Sequence, residues 1–83
     1  MNFILFEILN ELERAEINHP LWPKCNIKRS AIMLEEAGEV IREANCIDEG
    51  KGSIENLKIE LTQTAAMCIR MLKEIKNDDL VKS

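Results

Sequence analysis

Leu34-Glu35-Glu36-Ala37-Gly38-Glu39-Val40-Ile41-Arg42-Glu43-Ala44-Asn45 is the stretch on which the fold turns. On an α-helix, at about 100° per residue, Leu34, Ala37, Gly38, Ile41, Ala44 and Asn45 share one side. Glu35, Glu36, Glu39 and Glu43 share the opposite side, within an arc of about 100°. Like charges one turn apart repel by a few tenths of a kcal/mol each. Arg42 offsets only part of that. Such a helix either shows its acidic row to water or uses it to hold cations.

Outward from this stretch the pattern predicts an all-α fold, an antiparallel bundle of three main helices in one domain. The central helix spans about 26–47, with Ile27, Ser30, Ala31, Leu34, Ala37, Gly38, Ile41 and Ala44 as its core stripe. Asp48-Glu49-Gly50-Lys51-Gly52-Ser53 is a turn, with two glycines as helix stoppers and Ser53 as the next N-cap. A third helix spans about 54–76, with Ile54, Leu57, Leu61, Thr64, Cys68, Met71 and Ile75 alternating by three and four. Ala65, Ile69 and Leu72 widen that stripe, and the tail 77–83 is expected to fray. A first helix spans about 2–17, capped by Asn2, with Phe3, Phe6, Ile8, Leu9, Leu12 and Ala15 inward and Glu7, Asn10, Glu11 and Arg14 on the other side. His19-Pro20-Leu21-Trp22-Pro23 interrupts the helical pattern as an ordered connector. There Trp22 either packs the connector onto the bundle or lays its indole face along a ligand ring.

The chain has 83 residues, 46% hydrophobic and 31% charged, which fits a globular domain. A domain of this size buries only about 60–65% of its unfolded surface. The third helix is also too apolar for two neighbours to enclose. A partner subunit is therefore expected. The net charge of −4 argues against binding to a nucleic-acid backbone. An acidic protein that handles phosphates needs a metal between the like charges. Three cysteines without a C-x-x-C pair suggest reduced thiols in a cytoplasmic setting. Glu7 interrupts the apolar start, which fits neither a signal peptide nor a membrane span.

The chemistry follows from register. Glu36 and Glu39 lie one turn apart, and so do Glu60 and Gln63. Across a short turn centred on Gly50, Glu39 lies 11 residues back and Glu60 lies 10 forward, so the two sit at nearly equal height. Oxygen ligands from two helices then suit Mg²⁺ or Mn²⁺, with a glutamate to spare to take a proton from water attacking phosphorus. A solvated acidic face with no ligand is the plainer reading of the same spacing.

These residues also carry a resemblance. Glu36-x-x-Glu39, 20 intervening residues, then Glu60-x-x-Gln63 resembles the signature of the all-α nucleoside triphosphate pyrophosphohydrolases, the MazG-like superfamily. That signature reads E-x-x-E, a spacer, then E-x-x-D. Leu34-Glu-Glu-Ala-Gly-Glu-Val40 is similar to the family's first motif helix, and the segments 19–23 and 60–66 resemble a short, phage- and mobile-element-type branch. The resemblance spans about residues 17–76. It implies a homodimer or dimer of dimers that hydrolyses nucleoside triphosphates, dNTPs above all, to the monophosphate and pyrophosphate in a house-cleaning role. It makes Glu36, Glu39, Glu60 and Gln63 metal ligands, gives Glu35 and Glu39 catalytic duties, and offers Lys51, Lys58 and Arg70 as partners of the triphosphate. Asn45 either caps its helix or contacts the ligand. Gln63 departs from the pattern: an amide oxygen coordinates Mg²⁺ but brings no charge. That departure supports a second class of function, a helical dimer that binds nucleotide or a protein partner without hydrolysis.

Overall fold

The structure, a computed structural model, describes the backbone of residues 1–82 and the side chains of residues 1–79. It is all-α: α1 (Asn2–Asn18), α2 (Asn26–Asp48) and α3 (Ile54–Lys82). The ends of α1 and α2 fall within a residue of those expected. Met1, not Asn2, occupies the N-cap position of α1 and makes no side-chain cap. The third helix runs six residues beyond its expected end at Lys76, because Asp78 in its last turns pairs with Arg29 of α2 at 2.8 Å. Ser83, the end of the tail expected to fray, lies outside the described residues.

α2 and α3 form an antiparallel hairpin whose turn satisfies its own backbone. The Lys51 and Gly50 N–H groups donate to the carbonyls of Cys46 and Ile47, at 2.8 and 3.0 Å. This is the Schellman arrangement, and Gly50 supplies the positive φ of 78° that it needs. Ser53 caps α3 as expected, its Oγ accepting the Asn56 N–H at 3.0 Å. Glu43 adds a second cap, its Oε1 accepting the Ser53 N–H at 2.9 Å. Gly52 lies against the end of α2: a Cβ there would meet Glu43 Oε1 at 2.7 Å and the Ile47 backbone nitrogen at 2.9 Å. Gly52→Ala must therefore shift backbone, and we expect it to destabilise the domain by about 2 kcal/mol, read by chemical denaturation. An unchanged midpoint would show that the turn yields freely.

Which faces point inward departs from the expectation. On α2 the inward row is Arg29, Ile32, Glu36 and Glu43, while Ile27, Leu34 and Ile41 are 80%, 67% and 61% exposed, and Ala31 and Gly38 are exposed with them. On α3 the buried row is Ala66, Met67 and Arg70, with Glu60 and Gln63 half-buried above it. Ile54, Leu61, Leu72 and Cys68, all expected in the apolar interior, are exposed. The reason is long-range polar pairing. Arg29 and Glu43 tie the two ends of the α2 row to the end and the start of α3, and that fixes the helix rotation. On α1 only Leu12 and Ala15 are buried, with Ile8 packed against them, while Phe3, Phe6 and Leu9 are exposed.

The core is small: Leu12, Ala15, Ala66 and Met67, lined by Ile8, Trp22, Ile32 and Ile69. α1 and α2 each lie along α3 but do not approach one another at backbone level. A cleft is left between them, floored by α3 and closed at one end by the connector.

Candidate functional site

The cleft has a volume of about 490 Å³. Glu11, Arg14 and Ala15 of α1 form one wall, and Ile32 and Glu36 of α2 the other. Gln63, Met67 and Arg70 of α3 form the floor, and His19, Leu21, Trp22 and Pro23 close the end.

The end wall is held by two arginines. Arg70 is 3% exposed and stacks under Trp22, with Cζ at 4.4 Å from the ring centroid. Its Nη2 donates to the His19 carbonyl at 2.6 Å, and its Nη1 reaches the Ala15 carbonyl at 3.5 Å. Arg70 thus satisfies the His19 carbonyl just past the end of α1 and adds a second donor to the Ala15 carbonyl, which already accepts the His19 N–H. Arg29 is 2% exposed and donates through Nε to the Pro23 carbonyl at 2.7 Å, through Nη1 to Asn26 at 3.2 Å and through Nη2 to Asp78 at 2.8 Å. Trp22 packs on the core, one of its two expected roles, and also lines the cleft.

The carboxylates gather around Glu36. Burial pushes its carboxyl above the ordinary carboxylate range, and the charges of Glu60, Glu39, Glu11 and Glu35, in that order, push it further. Among these charges that of Glu60, across the hairpin, acts on Glu36 more strongly than that of Glu39, whereas the count from the turn levels Glu60 with Glu39. Glu39 is turned to Arg42 in an i,i+3 ion pair, and Glu35 is exposed. Gln63 shares the cleft with Glu36. Among the described residues, no three histidine, cysteine, aspartate or glutamate side chains stand close enough together to hold a metal ion as placed. The donor chemistry nevertheless fits a hard divalent cation: half-buried carboxylates repelling one another, with an amide oxygen at hand.

The other sequence candidates lie apart from this cluster. Lys51 pairs with Glu49 in the turn at 3.7 Å. Lys58 pairs with Glu55 and borders a separate opening between α1 and the start of α3, beside Glu7. Asn45 is exposed in the last turn of α2, its carbonyl accepting the Glu49 N–H. Arg70 lines the cleft, but both its Nη atoms are committed to backbone carbonyls.

Sequence reasoning missed Glu11, Arg14 and Arg29. Glu11 and Arg14 were left on the outer side of α1, and their i,i+3 pairing was the available signal. Arg29 carried none, since its partners are a distant aspartate and a main-chain carbonyl. No helix among the described residues is long and apolar enough to cross a membrane. Comparison with family models, with curated proteins and with solved structures gives no match to this chain.

Proposed function

We propose that this chain is a Mg²⁺-dependent nucleoside triphosphate pyrophosphohydrolase acting on nucleotides of the dNTP class. The observation that carries the reading is the Glu36 carboxyl, pushed up by burial and by four neighbouring carboxylates at the edge of a cleft. A site with that surplus of negative charge is complementary to a cation, and with it to a polyphosphate. Glu36, Glu39, Glu60 and Gln63 would hold Mg²⁺, or Mn²⁺ in its place, and the ion would offset the charge of the triphosphate. Glu35, which is exposed, and Glu39, on leaving its pair with Arg42, would accept the proton of the attacking water. The bond formed joins that water oxygen to the α-phosphorus. The bond broken joins the α-phosphorus to the bridging oxygen, and pyrophosphate leaves. A cleft of this volume accommodates a base and sugar, with Trp22 at its closed end. The assay is pyrophosphate release from a panel of NTPs and dNTPs with Mg²⁺. Turnover of none of them would sink the reading.

Gln63 favours a second reading, a nucleotide-binding helical dimer without hydrolysis. It brings an uncharged amide where a carboxylate would strengthen the metal site. Saturable nucleotide binding with no pyrophosphate release would select it.

In both readings the working unit contains a second copy. Among the described residues the buried hydrophobic core has four members, while Ile27, Leu34, Ile41, Leu61 and Leu72 lie open. Large apolar side chains exposed in that number call for a covering partner. The stripe along α2 is suited to helix–helix contact, because Ala31 and Gly38 permit close approach. Leu34→Glu combined with Ile41→Glu is expected to convert the protein to a monomer by sedimentation. An unaltered oligomer would place the contact elsewhere.

A further inference from the structure

We propose that Arg14, held at the mouth of the cleft by Glu11, is the cationic arm that engages the phosphates of the substrate. This rests on the pyrophosphohydrolase reading and adds a recognition residue from α1, a helix outside the Glu36–Gln63 pattern. The first ground is elimination. The basic residues expected beside the carboxylates are spent or distant: Arg70 on carbonyls, Lys51 in the turn and Lys58 at another opening. The second ground is position. Arg14 lines the same cleft as Glu36 and Gln63, and its guanidinium lies near enough to Glu36 to feel that charge.

The third ground is availability. Arg14 donates through Nε to Glu11 Oε2 at 2.9 Å and through Nη2 to Glu11 Oε1, a two-pronged pair that fixes the plane of the guanidinium. Its side chain is 57% exposed while that of Glu11 is 17% exposed, so the pair holds the inner edge of the guanidinium and leaves the rest of it open to solvent. Arg14 is therefore pre-oriented but not locked. A phosphate offers the same fork-shaped acceptor geometry with more charge, so the guanidinium can share or exchange partners without a change of fold. Glu11 serves as the stand-in anion that keeps the arm beside the cleft.

The experiment is calorimetric titration of the full chain with a non-hydrolysable α,β-methylene dNTP in the presence of Mg²⁺, and separately with Mg²⁺ alone. Arg14→Ala should weaken analogue binding about tenfold or more, while Mg²⁺ alone binds as well as before or better. Arg14→Lys should recover only part of the loss, since the fork is gone. Unchanged analogue binding in Arg14→Ala overturns the inference and leaves the enzymatic reading standing. So does a parallel fall in Mg²⁺ affinity, which would mark Arg14 as structural. Failure of the unaltered chain to bind both analogue and Mg²⁺ overturns both together.

Discussion

Replacing Arg29 with methionine is expected to lower the stability of the domain by about 3 kcal/mol, a fall in Tm of more than about 12 °C for a chain of this size. Arg29 is the most deeply buried large side chain, and it serves three acceptors at once: the Pro23 carbonyl, Asn26 and Asp78. Methionine fills the volume but supplies no donor, so the Pro23 carbonyl loses its partner and the connector its anchor. Asp78 is 39% exposed on its side chain and regains water when the pair is broken. Asp78→Asn should therefore cost only about 1 kcal/mol. Arg29→Lys should fall between, because one ammonium cannot span three acceptors set out for a planar fork. Thermal and urea unfolding of the three variants test this ranking. Arg29→Met within about 0.5 kcal/mol of the unaltered protein would contradict it.

Glu36→Gln is expected to do two opposite things. Pyrophosphate release should drop by about 100-fold or more, since the most central of the proposed ligands loses its charge. The metal-free protein should at the same time become slightly more stable at neutral pH. The Glu36 carboxyl titrates above its ordinary value because burial and Glu60, Glu39, Glu11 and Glu35 disfavour its charged form. The folded chain thus holds that proton more tightly than the unfolded chain does. The resulting stabilisation is complete below the ordinary carboxylate pKa and is lost as pH rises through the raised value. At neutral pH the charged form is a liability, and glutamine removes it. With solvent screening taken off, the gain is about a few tenths of a kcal/mol, or roughly 2 °C in Tm. Melting curves in EDTA between pH 3 and 8 should show the variant ahead at neutral pH and level with the unaltered protein at the acid end. Added Mg²⁺ should raise the Tm of the unaltered protein and not of Glu36→Gln. A variant less stable than its parent at pH 7 would show that Glu36 is a structural partner.

Local signals decided what the sequence made legible. The limits of α1 and α2, the Gly50 stop and the Ser53 cap all depend on residues within a turn or two of one another. The rotation of α2 was not legible in the same way. Its apolar stripe through Leu34 and its polar row through Arg29, Glu36 and Glu43 have the same helical period, so periodicity cannot choose between them. Hydrophobicity favours the first, but the structure turns inward the second. The contact that ties α2 to the end of α3, Arg29 with Asp78, and the one that ties α3 to the end of α1, Arg70 with the His19 carbonyl, span 49 and 51 residues. In the second of them the acceptor is main chain, and side-chain identity there announces nothing. The same blindness hid Glu11 and Arg14, whose local pairing was visible but whose cleft was not.

The gap between α1 and α2 bears on how the domain loses its structure. The α2–α3 hairpin carries its own turn and its own long ion pair, and is expected to open as one unit. α1 lies against α3 and not α2 at backbone level, held through Leu12 and Ala15, the Arg70 clamp and the pair of Lys73 with Glu16 at 2.8 Å. It is the unit with the least to lose on opening. A ligand in the cleft touches α1 and α2 at once and supplies the third side of a triangle that the polypeptide leaves open. Its binding free energy then falls mainly on the opening of α1. A substrate of the proposed kind would by this logic be a piece of the tertiary structure, and slowed amide exchange in residues 2–18 would register its arrival before the hairpin registered anything.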